Sequence, residues 1–330
     1  MRISGFTFVR NAIDLYYPVV ESITSILPIC DEFIVAAGDS TDGTTELLRR
    51  ISNPKVKIIE TVWDKNLFVG GATNAQQTNI ALEACSGDWA FYLQADEVVH
   101  EDDLPGLVDC MRTHLGDPRV EGLVFDYLHF FGDYDHYQTA HNWYRREVRI
   151  VRTGAGIRSW HSAQGFRRDG KKIHVVRSGG RIFHYGWVRP PARMTHKTHA
   201  FTSLHLGPSE ADARFPDRDR EFDYGQLRGR ARFTGTHPAV MRARIAAKNW
   251  EVRPGKQVYR HDTLPIRLLS FLENRVLGFR IGENRNFIVM RDAERGKMQQ
   301  RARSTTHELR CHRRRKSSAW EIIRPRARRR

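Results

Sequence analysis

The nine residues Trp89-Ala-Phe-Tyr-Leu-Gln-Ala-Asp-Glu97 carry a run of buried-strand character straight into two adjacent carboxylates. A strand this apolar has to be covered on both faces, which is the situation of a central strand in a parallel sheet flanked by helices. Ligands of such sheets bind at the carboxyl ends of the strands. The acids at 96 and 97 are therefore expected at the edge of a cleft, held rigidly but not buried in the core.

The rest of the first hundred residues fits that sheet. Ile3 to Val9 reads as a strand, Asp14 to Ile26 as a helix with Leu15, Val19, Ile23 and Ile26 at helical spacing, and Phe33 to Ala37 as a second strand. Gly38-Asp-Ser-Thr-Asp-Gly-Thr44 is a turn rich in N-capping side chains and opens a helix from Thr44 to Ile51. A strand over Val56 to Val62, a loop from Asn66 to Gly71 and a helix from Thr73 to Ala84 lead to the strand Trp89 to Leu93. Strand and helix alternate throughout, the pattern of a doubly wound sheet.

Beyond Glu97 the pattern loosens. A helix is expected over Leu104 to His114, a strand over Gly122 to Tyr127, shorter strands at Val148 to Arg152, Ile173 to Val176 and Arg181 to His184, and a helix from Met194 to Leu206. Gly207 to Gly235 is polar and irregular, and helices over Pro238 to Asn249 and Leu264 to Phe279 are expected at the periphery. Between Leu128 and Arg146 the chain is crowded with Tyr, Trp, His and Asp, a composition suited to a binding surface. No internal repeat is found.

Charge matters here through its distribution. The formal net charge is +16, but Arg295 to Arg330 holds 14 Lys or Arg against two Glu, leaving the first 294 residues nearly balanced at +4. That basic tail, with no periodic apolar face, is expected to be disordered. It reads either as an arm for anionic headgroups or as a solvated extension. Cys30, Cys85, Cys110 and Cys311 show no metal-ligand spacing, and no apolar run reaches membrane-spanning length, so a soluble, cytoplasmic protein with reduced thiols is expected.

In order and spacing, the first strand with Arg10-Asn11, the Asp-Ser-Thr-Asp-Gly-Thr turn, the loop and helix from Asn66 to Asn79 and the Gly87 to Glu97 strand resemble the family-2 glycosyltransferases. More loosely the likeness continues to Phe183-His-Tyr-Gly-Trp-Val-Arg189. It implies a GT-A fold: an α/β, Rossmann-like doubly wound mixed sheet with a peripheral helical C-terminal region. Residues 1–100 would form its nucleotide-sugar half and 101–206 its acceptor half, followed by a mainly helical extension over 207–292 and the basic tail over 293–330. Two departures stand out. Ala37 and Gly38 replace the acidic pair that usually precedes the turn, with Asp39 where a glycine is common, and the usual Asp-x-Asp metal motif is Gln94-Ala95-Asp96.

From the resemblance, Asp96 and His184 would hold a divalent metal, Mn²⁺ or Mg²⁺, the imidazole favouring Mn²⁺. Arg10, Asn11, Asp39, Asn66, Gln94 and Trp187 would bind the nucleotide-sugar donor, and Arg10, Lys65 and Arg189 could add charge at its phosphates. Glu97 reads equally as an orienter of the metal ligands or as a surface acid starting a helix. Trp143 and Tyr144 are the candidates for a glycan or lipid-linked acceptor, since flat rings stack on the apolar faces of sugars. The catalytic base of an inverting enzyme would be His161, whose ordinary pKa is near neutral, or Glu147.

The expected activity is thus an inverting, metal-dependent sugar transfer in cell-envelope glycan synthesis, with peripheral contact to the inner face of the membrane through the tail. A nucleotidyltransferase of related architecture is the nearest alternative, but the position after the first strand lacks the glycine-rich phosphate loop such enzymes carry. A non-catalytic nucleic-acid-binding protein would rely on the tail, and the nearly neutral body argues against nucleic acid as a partner.

Overall fold

Nearly every side chain of the strand Ile3–Val9 is buried, on both faces, which places it at the centre of the sheet. In the computed structural model, which describes residues 1–228, 230–283 and 286–290, this strand is β1. It is joined on one side by β2 (Glu32–Ala37) and β3 (Val56–Glu60) and on the other by β4 (Trp89–Tyr92), all parallel. The chain winds outward from β1 to β3 and returns beyond β1 to form β4. In sheets of this kind ligands bind at such a switch point, outside the carboxyl ends of the strands, here those of β1 and β4.

The second half adds β5 (Glu97–Val99), β6 (Gly122–Phe131), β7 (His136–Gln138) and β8 (Arg146–Arg152). β8 runs antiparallel between β4 and β6. A hairpin of β9 (Ile157–Trp160) and β10 (Gly165–Arg168), extended by β11 (Lys171–Lys172), forms a small separate sheet. β12 (His174–Trp187) then runs parallel to β6 and antiparallel to β5. The sheet is therefore the mixed, doubly wound sheet expected.

The helices are α1 (Val19–Ile26), α2 (Thr44–Arg49), α3 (Ala72–Glu83), α4 (Leu104–His114), α5 (Pro191–Leu206), α6 (Pro208–Arg214), α7 (Arg242–Ala246) and α8 (Leu264–Phe271). α1 starts later than the periodicity implied because Pro18 stands at its N-cap and Asp14 to Tyr17 form turns instead. α3 packs on β1 and β2, and α4 on β12. Phe6, Ile34, Tyr92, Val124, Val148 and Phe166 knit the sheet to its hairpin. Phe130, Tyr134, Phe183 and Tyr185 form a second cluster with Met241, so part of the aromatic stretch between Leu128 and Arg146 is core. Full burial of each such side chain stabilises by about 1.5–3 kcal/mol.

Two further expectations are corrected. The segments Ile173 to Val176 and Arg181 to His184 are parts of the single strand β12, with a register shift between Arg177 and Arg181 where Ser178-Gly179-Gly180 bulges. And Asp96 and Glu97 are both buried rather than standing open at the cleft edge. Glu97 begins β5, not a helix. Residues Met1–Val289 form one compact unit. The whole of the basic tail over 293–330, with Cys311, lies outside the described residues.

Candidate functional site

The Gln94-Ala95-Asp96 turn is held by a buried ion pair. Two of the three nitrogens of the Arg149 guanidinium reach Glu97, Nε to Oε2 at 2.7 Å and Nη2 to Oε1 at 2.8 Å, and neither side chain is exposed. Tyr127 donates its hydroxyl proton to the same carboxylate at 2.8 Å, and the backbone N–H of Gln94 donates to it at 3.0 Å. Glu97 is thus neither a surface acid nor a ligand: it fixes the loop that aims Asp96. With both charges paired and bridged, the arrangement tolerates burial that an isolated carboxylate would not.

Pairing of β5 with β12 sets His184 beside this turn, and pairing of β12 with β6 sets His129 directly opposite His184. The hydrogen bonds then dictate the tautomers. His129 Nε2 lies 2.7 Å from the carbonyl oxygen of Tyr144, which can only accept, so this nitrogen carries the proton. Burial, with a further contribution from His184, keeps His129 well below the usual imidazole pKa, and the ring is neutral. Its Nδ1 is therefore a bare acceptor, and His184 Nδ1, 2.9 Å away, must donate to it. Burial likewise lowers His184 to about 4. The neutral His184 ring is left with a lone pair on Nε2, directed at a carboxylate oxygen of Asp96 3.7 Å away.

Two electron-rich atoms facing each other need a positive charge between or beside them. In the present arrangement Lys197, from α5, supplies it: Nζ lies 3.4 Å from Asp96 Oδ2 and 2.6 Å from the carbonyl oxygen of Gly186. Burial would raise the Asp96 carboxyl, but the positive charges of Lys197 and Arg189 oppose it, and the group is held at about 2. Lys197 in turn is lowered to about 7 by burial and by the neighbouring Arg189. Arg189 is itself fully buried, donates to the Gly186 carbonyl at 2.9 Å, and lies over the Tyr17 ring.

Gly186 completes this corner. A Cβ there would sit 2.4 Å from His184 Nε2 and 2.8 Å from Asp96 Oδ2, so the absence of a side chain keeps open the space that both atoms border. Asp96 and His184 fit a divalent cation that keeps its remaining positions for other oxygens. Among the described residues no group of three or more His, Cys, Asp or Glu side chains is arranged to hold a metal ion.

The other proposed residues fall into three places. Arg10 and Asp39 meet at the ends of β1 and β2, Nε to Oδ1 at 3.0 Å, and the Arg10 guanidinium lies 5.5 Å from the centre of the Trp63 ring. Trp63 donates its backbone N–H to Asp39, and its buried indole N–H has no hydrogen-bond partner among the described residues. Asn11, at a positive φ of 51°, accepts the Thr41 N–H through its side-chain oxygen and so braces the turn after β2. Asn66 is exposed on a short turn, next to Lys65, and meets none of the others.

Beside the Asp96 corner, Trp187 stacks on Phe131 and meets Trp143 edge-on at 5.7 Å, with Lys197 Nζ 5.9 Å from the Trp187 ring centre. Tyr144 packs edge-on against His129 at 4.5 Å. Burial and the charges of Glu97, Glu147 and Asp96 push its hydroxyl well above the usual range. Glu147 is buried in β8, accepts from Asn286 and from its neighbour Val148, and is raised by burial to about 7. His161 is exposed on the β9–β10 turn, at a φ of 50°, against Trp160. That turn reaches the corner through Ala163, whose carbonyl accepts from the Gln94 amide at 3.3 Å.

Lys197, His129, Trp63, Gly186 and the Arg149 anchor were not singled out from the sequence. A basic residue among 54 carries no local mark, and His129 shows its role only through a partner 55 positions away.

The model of a family described as "Glycosyl transferase family 2" matches residues 9–185, just over half of the chain. Among solved structures, S. aureus TarS in complex with UDP is similar at 15% identity, with a TM-score of 0.36, over 66% of this chain and 71% of that one. The M. tuberculosis glucosyl-3-phosphoglycerate synthase in complex with Mn²⁺ and UDP-glucose is similar at 21% identity and a TM-score of 0.28, over 38% of this chain and 43% of that one. Mannosyl-3-phosphoglycerate synthase from Rubrobacter xylanophilus is similar at 20% identity and a TM-score of 0.28, over 39% and 41%. No curated protein matches the chain.

Proposed function

The chain belongs to glycosyl transferase family 2 and is a glycosyltransferase of GT-A fold, and from that premise we propose that it moves a sugar from a nucleotide-diphosphate donor to an acceptor hydroxyl with inversion, assisted by a divalent cation at Asp96 and His184. One observation supports this reading above the others: the bare Nε2 of His184 faces Asp96 across the space that Gly186 leaves open. Neither atom can satisfy the other, so the pair is suited to a cation and ill suited to a purely structural contact.

When bound, the cation supplies Lewis-acid charge for the departing diphosphate. Arg189 and Lys197 place two further positive groups at the same corner, and Lys197 neutralises Asp96 when the divalent ion is absent. Arg10, Asp39 and Trp63, with Asn11 behind them, form the wall suited to the nucleoside. Gln94 retains its amide oxygen for a sugar hydroxyl while its nitrogen holds the β9–β10 turn. Trp187 would lie along the donor sugar, and Trp143 and Tyr144 along the acceptor. As the acceptor oxygen attacks the anomeric carbon and the bond to the diphosphate breaks, its proton passes to a carboxylate or imidazole, for which Glu147 is favoured over His161 by its raised pKa. Asn66, exposed and apart, would contribute only if its turn moves.

Release of nucleoside diphosphate from candidate nucleotide sugars with Mn²⁺ tests the reading, after a thermal-shift screen has identified the donor base. Asp96→Asn and EDTA are each expected to lower turnover by roughly 10²-fold or more. Full activity in both would refute the metal-assisted mechanism.

A further inference from the structure

α8 and the π-helical turn Leu272–Leu277 that continues it are amphipathic the wrong way round for a packed helix. Their polar groups face the body. Ser270 accepts the backbone N–H of His141 at 2.8 Å, Glu273 bonds the His141 ring at 2.9 Å, and Asn274 donates to the Thr139 carbonyl at 3.2 Å. Arg280, just beyond, donates to the carbonyls of Thr139 and His141. Their large apolar groups face outward instead: Leu264, Leu268, Phe271, Leu272, Val276 and Phe279 are each between 40% and 66% exposed. Six large side chains together exceed the scattered apolar exposure normal for a protein surface.

We infer that this face is a membrane-docking surface that seats the enzyme on a bilayer carrying anionic headgroups. A helix fixed by its polar side, with an apolar face turned outward, has the form of a segment lying in the interfacial plane. Arg267 and Arg275 are exposed on the same outward side. At headgroup depth their stems lie along apolar surface while the guanidinium groups meet phosphates. In a two-fold interface between copies, the same arginines would be placed in or beside an apolar contact with like charges opposite, where charged residues are normally depleted. The net of +12 between Arg295 and Arg330 adds attraction of the same sign.

The inference also deepens the reading of sugar transfer, on which this one step rests. The loop that the helix grips, from Thr139 to Arg145, carries Trp143 and Tyr144. Docking would therefore hold the loop that carries Trp143 and Tyr144 close to the bilayer, within reach of an acceptor tethered to a lipid, which favours the lipid-linked class over a free glycan.

Co-sedimentation of the full chain with vesicles of phosphatidylcholine, alone or mixed with phosphatidylglycerol, tests the docking without donor or acceptor, so its failure leaves the transfer reading untouched. Binding to the mixed vesicles is expected, and L268E/F271E should weaken it roughly tenfold or more, since two large apolar contacts with the acyl boundary are lost. Both positions are exposed, so circular dichroism and the thermal midpoint should not change, and L268A/F271A should fall between. Absence of binding by the unmodified chain would overturn the inference. So would binding undiminished in L268E/F271E, which would assign it to the basic tail alone. A dimer that becomes a monomer in L268E/F271E, with no vesicle binding by either, would identify the face as a contact between copies and overturn it equally.

Discussion

Nδ1 of His129 and Nδ1 of His184 face each other at 2.9 Å, so one ring must donate and the other accept. The Tyr144 carbonyl on the far side of His129 decides which, and by doing so it frees Nε2 of His184 toward Asp96. His129 touches neither donor nor acceptor in the proposed reaction. It is a positioning residue, acting through the tautomer of its neighbour.

His129→Phe should therefore weaken Mn²⁺ binding by about 10–100-fold, the usual consequence of losing the group behind a metal-bound histidine. Titration of free Mn²⁺ by electron paramagnetic resonance reads this without turnover. His129→Gln, whose amide can donate to Tyr144 and accept from His184, should recover part of the affinity. Equal Mn²⁺ binding in His129→Phe and the unmodified protein would remove the tautomer argument.

Gly186→Ala makes the complementary test from the other side of the pocket. The added methyl carbon would lie 2.4 Å from His184 Nε2 and 2.8 Å from Asp96 Oδ2, so these side chains must shift to admit it. The fold should persist while the stabilisation by Mn²⁺ and nucleoside diphosphate is lost and turnover drops by roughly 10²-fold. A thermal-shift series with and without those ligands separates the two effects. Retention of the ligand-induced shift would mean that the cation binds elsewhere.

What could be read from the sequence follows from how local each signal is. Leu104 to His114 and Ile3 to Val9 were legible to the residue because their apolar spacing and flanking residues agree. β12 looked like two strands because Ser178-Gly179-Gly180 reads as a break, and only its pairing with β6 shows a bulge. Asp96 and His184 stand out as candidates through their motif context, whereas Lys197, 101 positions from Asp96, becomes visible only when α5 folds back over β12. The helix from Leu264 was foreseen by its periodicity, but periodicity cannot say which face meets water, and here the apolar one does. Glu97 was undecided between two roles because its partner Arg149 is 52 residues distant.

That partner gives a prediction about stability. Arg149→Met would leave the Glu97 carboxylate buried with only Tyr127 and a backbone N–H to bond it, a change that costs about 3–5 kcal/mol. Adding Glu97→Gln to Arg149→Met should recover much of the loss, because the stranded charge is then gone. Urea denaturation of the two single variants and the double variant measures the coupling. A double variant as unstable as the sum of its singles would show that the two side chains act independently.

Glu147 gives the clearest dependence on pH. Its carboxyl is raised from 4.5 to about 7 by burial, with Arg149 and the bonds from Asn286 and Val148 opposing the shift. If it takes the acceptor's proton it must be ionised, so kcat/KM should be low below pH 7, rise through an apparent pKa near 7 and level off above it. The same shift acts on stability with the opposite sign. Between 4.5 and 7 the folded chain keeps a proton that the unfolded chain has released, so stability declines as pH rises across that window, by at most about 3 kcal/mol. Glu147→Gln cannot ionise. It should lower kcat/KM by about 10²–10⁴-fold, abolish the acid limb of the profile, and remove this group's share of the stability decline. A variant that keeps the acid limb at an unchanged position would exclude Glu147 as the group that titrates there, and the exposed imidazole of His161 would become the residue to replace next.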